Sequence, residues 1–174
     1  MKKIFLGAAV ALSFFANSAF GAQIGVLDVD KIIQESLAVI DIQKKVDTKK
    51  TSYEADINKK QSQLETEQKK LEDKKITLSK EAFDKEVKTF EAKVEDLKTY
   101  IDRKQNSLKK ASIDAMSKVN DKVKVIVSEI SKDKNLDVIM PSSQTLFFKD
   151  ELDITAEVLA TLNKKITKVD VKFE

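Results

Sequence analysis

The sequence contains no cysteine and no histidine, and these absences remove most of the side chains on which catalytic and metal sites are built. Without cysteine the chain can form no disulfide, no thiolate metal site and no lipid-modified cysteine after a leader. Without histidine it lacks the commonest acid–base group and the commonest metal ligand. We therefore expect a protein that is not an enzyme and that needs no cofactor and no metal.

Glycine and proline are also scarce, with three glycines and one proline in 174 residues. After residue 21 only Gly25 remains, so a glycine-rich phosphate-binding loop cannot be built. The stretch from Ile42 to Lys134 has neither residue, and apolar side chains recur in it at helical spacing. This pattern predicts a long antiparallel helical hairpin, the arm, with its turn near Thr77 to Lys80.

Aromatic residues make up only 6% of the chain, whereas charged residues make up 35%. This composition argues against a single large core and favours helix pairing or oligomerisation. Residues 43–134 carry 24 basic and 18 acidic side chains, and the rest of the chain after residue 21 carries 6 and 11. A basic arm on an acidic body suggests attraction of anionic partners, although a solvated coiled-coil surface with a small lysine excess is the alternative.

The first 21 residues have the layout of a secretory signal peptide. A basic start at Met1–Lys3 precedes an apolar run from Ile4 to Phe15, and Ala19 and Gly21 supply small residues before a cut at Ala22. The alternative is an uncleaved membrane anchor, but the apolar run of about 12 residues is short of the ~20 that a spanning helix needs. We expect cleavage and export.

The two ends of the chain predict a small α+β body. Gln23–Asp28 has the pattern of a buried strand, and Asp28 or Asp30 is expected to cap a short helix ending near Ser36. A metal site is the weaker alternative for these two aspartates, since no further ligands lie nearby. Leu136–Met140 and Thr145–Phe148 predict two more strands, separated by a turn at Pro141–Gln144.

The last elements are a helix and a tail. Asp153 is expected to cap a helix that presents Ile154, Val158, Leu159, Leu162 and Ile166 on one face. Lys168–Glu174 alternates apolar and charged residues, which fits an edge strand or a disordered tail. Three short strands make a sheet too small to stand alone, so several chains are expected to assemble.

The two sides of the arm differ in their apolar content. Beyond Ile57 the descending helix offers about one apolar residue per heptad, where a two-stranded coiled coil uses two. The returning helix is richer, and its pattern shifts register between Ala115 and Val119, which is a stutter. We expect weak packing towards the tip. Phe83 and Phe90 fit the hairpin's own core better than a partner-binding stripe.

No other pattern supports chemistry. Ser107/Lys110 and Ser131/Lys134 match Ser-x-x-Lys, but such matches arise by chance in a lysine-rich helix. Paired carboxylates such as Glu72/Asp73 lie on solvated helix faces. Nucleic acid is not expected as a partner, because the export signal argues against it and the basic residues are interleaved with acidic ones.

Both ends of the body resemble a known family. Ile24–Ser36, Leu136–Ile139 and Asp153–Leu159, together with the leader and the uninterrupted charged helices, resemble the Skp/OmpH family of periplasmic chaperones. The resemblance implies a homotrimer in which residues 22–41 and 135–174 form the trimerisation body and residues 42–134 form the arm. The arms of such trimers surround a cavity that holds unfolded outer-membrane proteins, the clients, without ATP. This sequence departs from the family in its tip, which lacks glycine, and in a longer tail past Ile166.

The hypothesis of a trimeric holdase leads us to expect roles for two groups of residues. Basic side chains of the arm are expected to capture clients electrostatically, with weak contact to anionic lipid or lipopolysaccharide: Lys74, Lys75, Lys80, Lys85, Lys88 and Arg103. Apolar residues of the body are expected to hold the trimer: Ile24, Val26, Val138, Ile139, Leu146, Phe147, Ile154 and Val158. The alternative function is a coiled-coil adaptor or spacer of the cell envelope. A hydrolase or transferase is disfavoured, since no activated nucleophile can be assembled.

Overall fold

The computed structural model describes residues 21–174 and shows an α+β chain dominated by two long helices. The predicted signal peptide lies outside the described residues, apart from Gly21. The elements, in chain order, are β1 (Ile24–Leu27), α1 (Val29–Glu35), α2 (Leu37–Lys74), α3 (Lys80–Asp133), β2 (Val138–Pro141), two short 3₁₀ turns (Ser142–Gln144 and Asp150–Leu152) and α4 (Thr155–Lys165). The predicted hairpin on a small strand-containing body is confirmed.

The two long helices form the hairpin. At 1.5 Å per residue, the 38 residues of α2 and the 54 residues of α3 give lengths of about 57 Å and 81 Å. The turn lies between Lys74 and Lys80, slightly earlier than predicted. Ser79 caps α3 by accepting a hydrogen bond from the Ala82 amide at 3.3 Å, as its position in the sequence suggested.

The C-terminal end of α3 is capped by a residue in the left-handed helical conformation. Asn135 has a φ of 52°, a conformation that asparagine tolerates better than most residues. Its neighbour Leu136 donates its amide to the Ser131 carbonyl at 2.8 Å, which is the long-range bond of a Schellman motif. This turn sends the chain from the hairpin directly into β2.

The sheet has two strands, and the predicted third strand, Thr145–Phe148, is wrong. β1 and β2 pair in parallel, with Gly25 opposite Ile139. The other edge of β1 is taken by the Ile154 amide, which donates to the Val26 carbonyl at 2.9 Å. Before the expected strand, the Thr145 amide and hydroxyl both bond to the Ser142 carbonyl, which turns the chain away from the sheet.

The core lies where α4 and the roots of the hairpin meet. Its buried members include Leu27, Ile32, Ala38, Ile42, Ala115, Val119, Ile126, Ile130, Ile154, Val158 and Leu162. Asp28 caps α1 through the Lys31 amide, and Asp153 accepts a bond from the Thr155 amide at the start of α4. The core therefore uses both ends of the chain together with the hairpin roots.

The register step of α3 appears in its burial. Ser107, Ala111, Ala115 and Val119 are buried at successive intervals of four residues, after which Ile126 follows seven residues later. Two successive steps of four, from Ala111 to Ala115 and on to Val119, are what a stutter produces. The predicted step is thus confirmed, and the small side chains along it leave room beside α3.

The tail is neither an edge strand nor disordered. Residues 167–174, which we call the strap, run in an irregular extended conformation along the root of the hairpin, with Val169 buried in the core. The predicted strand fails because the strap's partners are side chains of α2 and α3 instead of a strand edge. No helix within residues 21–174 combines the length and apolarity needed to cross a bilayer.

Candidate functional site

The distal part of the arm has an open seam. Across residues 54–106 of the described chain no side chain is buried, and apolar residues of the seam such as Leu64, Leu71, Phe90 and Leu97 are only half-buried. The expected thin packing of the descending helix is confirmed. The apolar side chains between the helices therefore stay partly accessible from outside.

Three depressions follow one another along this seam. The first, of about 540 Å³, touches the end of the strap at Glu174 and includes Tyr100 and Arg103. The second, of about 460 Å³, shares Tyr100 and Arg103 with the first and reaches Glu67 and Lys93. The third, of about 380 Å³, shares Glu67 and Lys93 and continues to Glu86 near the tip. The first depression is lined by α3 and the strap, and the other two by both long helices. We call this row of three depressions the inter-helix groove.

Two ion pairs span the groove. Lys93 lies 2.6 Å from Glu67, and Lys74 lies 2.7 Å from Glu86, so each pair joins α3 to α2. Both pairs are about half exposed to solvent, where such a pair contributes only about 0.2–1 kcal/mol. The distal helices are therefore joined by weak links.

A small aromatic cluster lies at the inner end of the groove. The Lys104 ammonium is 4.8 Å from the ring centre of Tyr53 and 5.4 Å from that of Tyr100, and the Lys60 ammonium is 5.0 Å from Tyr100. These distances allow cation–π attraction. The cluster marks the boundary between the buried root, which ends at Tyr53, and the open distal arm.

The predicted client-binding cations fall into two groups. Lys74 and Arg103 line the inter-helix groove. Lys75, Lys80, Lys85 and Lys88 are exposed around the tip instead, and so are not gathered with Arg103. Their role in binding stays a prediction.

The sequence reasoning missed Lys60, Lys70, Lys93 and Tyr100 as groove residues. A signal for one of them was present: Lys60, like Glu67 and Lys74, stands at a heptad position where a coiled coil uses apolar side chains. Long charged residues at such positions cannot fill a seam, so they line an open one.

The predicted trimer-body residues also fall into two groups, one buried and one at least partly exposed. Val26, Ile154 and Val158 are buried inside the subunit's own core, so they stabilise the body from within. Ile24, Val138, Leu146 and Phe147 are exposed, the last two at 109% and 83%, and Ile139 is half-buried. Other exposed apolar residues of the body are Val29, Ile33, Leu37 and Ile40. The outer edge of β2 has no strand partner within residues 21–174.

The strap is held by both helices of the arm. The Asp41 carboxylate accepts from the Val169 amide at 3.2 Å, and the Lys45 ammonium donates to the Val169 carbonyl at 2.8 Å. On the α3 side, Ser107 accepts from the Glu174 amide at 2.9 Å, and Lys110 pairs with the Glu174 carboxylate at 2.6 Å.

Two pKa shifts follow from these contacts. The hydrogen bond from Lys45, supported by the Val169 amide, holds the pKa of Asp41 below its ordinary value. The hydrogen bond to Glu174 raises the pKa of Lys110 above its ordinary value. Both shifts favour the charged forms that fasten the strap. Within residues 21–174 no group of three or more acidic side chains is placed to hold a metal ion.

Comparisons with known proteins give a family, a relative and a fold. The family described as outer membrane protein (OmpH-like) matches residues 23–162. An uncharacterized protein of Aquifex aeolicus (strain VF5) is 29% identical over 164 residues, covering 94% of this chain and 98% of its own. A crystal structure from Caulobacter crescentus CB15, described as that of an OmpH-like outer membrane chaperone, has a TM-score of 0.81 at 17% identity. It covers 99% of this chain and 96% of its own.

Proposed function

The chain belongs to the OmpH-like outer membrane protein family, and from this membership we propose that it is an ATP-independent holdase of the periplasm. It binds unfolded outer-membrane β-barrel proteins and keeps them from aggregating while they cross that compartment. The observation that carries the proposal is the open seam of the distal arm, where no side chain between residues 54 and 106 is buried.

A holdase must bind many clients without a deep, specific pocket. Half-buried apolar residues spaced thinly along an arm, with charged residues beside them, provide many weak contacts that rearrange with each client. Weak ion pairs across the groove let the helices adjust at little cost. Such contacts release the client when its folding partner competes for it, so no ATP is needed.

The charge of the arm supports capture over distance. Residues 43–134 carry 24 basic and 18 acidic side chains, so the arm is positive while the body is negative. A positive arm attracts acidic clients and anionic lipid headgroups, including lipopolysaccharide, and raises the rate of encounter. Because the charges are exposed, salt should weaken this attraction.

The surface of the body supports assembly into a homotrimer. Leu146 and Phe147 are almost fully exposed, and the outer edge of β2 offers unpaired backbone groups. Water-exposed apolar side chains and a free strand edge together favour pairing with another copy. A closed ring of three subunits removes the free edges and places three arms around one cavity.

The direct test is an aggregation assay. A urea-unfolded outer-membrane β-barrel protein is diluted into buffer without ATP, and light scattering is followed with rising amounts of the full protein. A holdase suppresses scattering at near-stoichiometric amounts, and less so at high salt. The proposal is wrong if scattering is unchanged, which is the outcome expected of a coiled-coil adaptor that binds one folded partner.

A further inference from the structure

The strap shows how the root of the arm holds an extended chain. Its side chains alternate: Val169, Val171 and Phe173 are buried or half-buried, and Lys168, Asp170 and Lys172 face solvent. This period of two is that of a β-strand with one covered face. The surface that covers it is formed by two helices, so helices of this arm can receive a strand-like segment without a sheet.

The arm recognises the strap through the strap's backbone. Lys45 donates to the Val169 carbonyl at 2.8 Å, Lys118 donates to the Asp170 carbonyl at 3.1 Å, and Ser107 accepts from the Glu174 amide at 2.9 Å. Backbone groups are the same whatever the sequence. Lysine side chains reaching across a groove can therefore bind extended chains of many sequences.

The inter-helix groove begins where the strap ends. Ser107, Lys110 and Glu174 line its first depression, and the groove continues from there to Glu86. The strap already occupies the inner end of the groove, since the Lys104 ammonium lies 3.5 Å from the Glu174 carbonyl. The free stretch of α3 from Arg103 to Glu86 is about 26 Å long at 1.5 Å per residue. An extended chain covers this length with about 8 residues at 3.3 Å each, close to the 9–11 of a transmembrane β-strand.

Side chains that can donate hydrogen bonds to the carbonyl groups of a bound chain lie along the inter-helix groove. Lys60, Lys70 and Arg103 line the groove, and within residues 21–174 none of them forms a salt bridge. Leu64, Leu71, Phe90 and Leu97 stand beside them, half-buried. The groove thus has the same two features as the surface under the strap. Lysine and arginine side chains can reach backbone carbonyl groups, and an apolar floor can cover alternate side chains of the bound segment.

We propose that the inter-helix groove of a single arm binds one strand-length segment of an unfolded β-barrel client, as a continuation of the strap. The segment lies extended, with its alternate apolar side chains on the groove floor and its carbonyl groups towards Lys60, Lys70 and Arg103. This inference rests on the proposed function, because it names which part of the client is held and where.

The absence of cysteine allows a direct test of position. Single variants Lys60→Cys and Arg103→Cys place a thiol in the groove, and Lys59→Cys and Lys109→Cys place one on exposed positions that line none of the three depressions. Each full-length variant is mixed with an unfolded β-barrel protein carrying one cysteine in the middle of a strand, and disulfide formation is measured. The groove variants should cross-link faster than both controls. Equal rates would overturn the inference.

A charge-matched pair separates groove binding from general attraction. The double variant Lys60→Glu with Arg103→Glu and the control Lys59→Glu with Lys109→Glu change net charge equally. The probe is a fluorescent 11-residue peptide with alternating valine and polar residues, compared with a peptide of the same composition whose valines are clustered. Losing charged hydrogen bonds should weaken binding of the alternating peptide at least about tenfold in the groove variant only. Equal losses, or equal binding of the clustered peptide, would contradict the inference.

Failure of the inference can be told from failure of the proposed function. If the wild-type protein and both double variants suppress aggregation of a full-length client equally well, the holdase function stands and the groove is not its binding surface. If the wild-type protein suppresses no aggregation, the function is wrong. The peptide comparison needs no full-length client, so it tests the groove in either case.

Discussion

Replacing Val169 by alanine should destabilise the fold, because this side chain fastens the strap to the core. Val169 is only 4% exposed and belongs to the same apolar cluster as Ala115 and Val119. Its amide and carbonyl are also bound by Asp41 and Lys45. The substitution leaves these backbone bonds possible and removes only apolar contact, so its effect reports on packing.

The magnitude follows from the two methyl groups that are removed. At about 0.8 kcal/mol for each buried methyl-sized group, plus the cavity left behind, the free energy of unfolding should fall by about 1.5–3 kcal/mol. For a chain of this size each kcal/mol lowers Tm by about 2–4 °C, so a fall of about 3–12 °C is expected. Circular dichroism at a fixed protein concentration measures it.

Lys172→Ala is the matched control, since Lys172 lies in the same strap with its side chain in solvent. The Tm of this control should equal that of the wild-type protein. Hydrogen exchange at the Val169 amide adds a local readout, because the valine variant should exchange faster there and the control should not. A valine variant with unchanged Tm would refute the reasoning, since the strap would then not be part of the folded core.

Three further predictions concern the body and the strap. Gly25→Ala should lower the free energy of unfolding by about 1 kcal/mol in urea titrations, because a Cβ there would lie 2.9 Å from the Leu136 Cδ1 atom, the end of a side chain that can shift. Acid should release the strap: the pKa of Asp41 is lowered, so its contribution is present above the ordinary pKa of the carboxyl and is lost as pH falls through the folded value. Protection of the Val169 amide from hydrogen exchange should fall near that pH, and Asp41→Asn should show the same loss at neutral pH. Unchanged protection in both cases would contradict this. Phe147→Asp should reduce the sedimenting mass to that of one subunit, whereas an unchanged mass would remove this side chain from the proposed trimer contact.

The helices were predictable because their signals are local. Heptad spacing, the absence of glycine and proline, and the caps at Asp28 and Ser79 all act within one or two turns of the chain. The stutter between Ala115 and Val119 was visible for the same reason, since it is a count along one helix. Local patterns therefore predicted the hairpin and the two ends of α3, whereas α2 begins at Leu37, before the predicted start of the arm, and ends at Lys74, before the predicted turn.

The absence of a strand at Thr145–Phe148 could not be predicted from its apolar residues. Whether such a run pairs depends on where the preceding turn directs the chain, and the bonds from Thr145 to the Ser142 carbonyl direct it away from the outer edge of β2, which is vacant within residues 21–174. Leu146 and Phe147 are left in solvent. An apolar run with high β-propensity can thus lie exposed on the surface instead of pairing in a sheet.

The strap and the groove were missed for a related reason. The alternation of Lys168–Glu174 correctly indicated an extended chain, but its partners lie more than 120 residues earlier on α2 and about 50 to 70 residues earlier on α3. The groove likewise requires two helices in a fixed register. Arg103 was named for its charge, whereas Lys60 and Tyr100 acquire their roles only when the helices are brought together.

The most direct test of the proposed holdase is the mass of the assembly with and without client. Native mass spectrometry or sedimentation at micromolar concentration, in buffer without ATP, should give three subunits alone and three subunits with one unfolded β-barrel protein after mixing. The client complex should become less abundant as salt is raised. A monomer that leaves the client unbound and aggregating would contradict both the trimer and the holdase function.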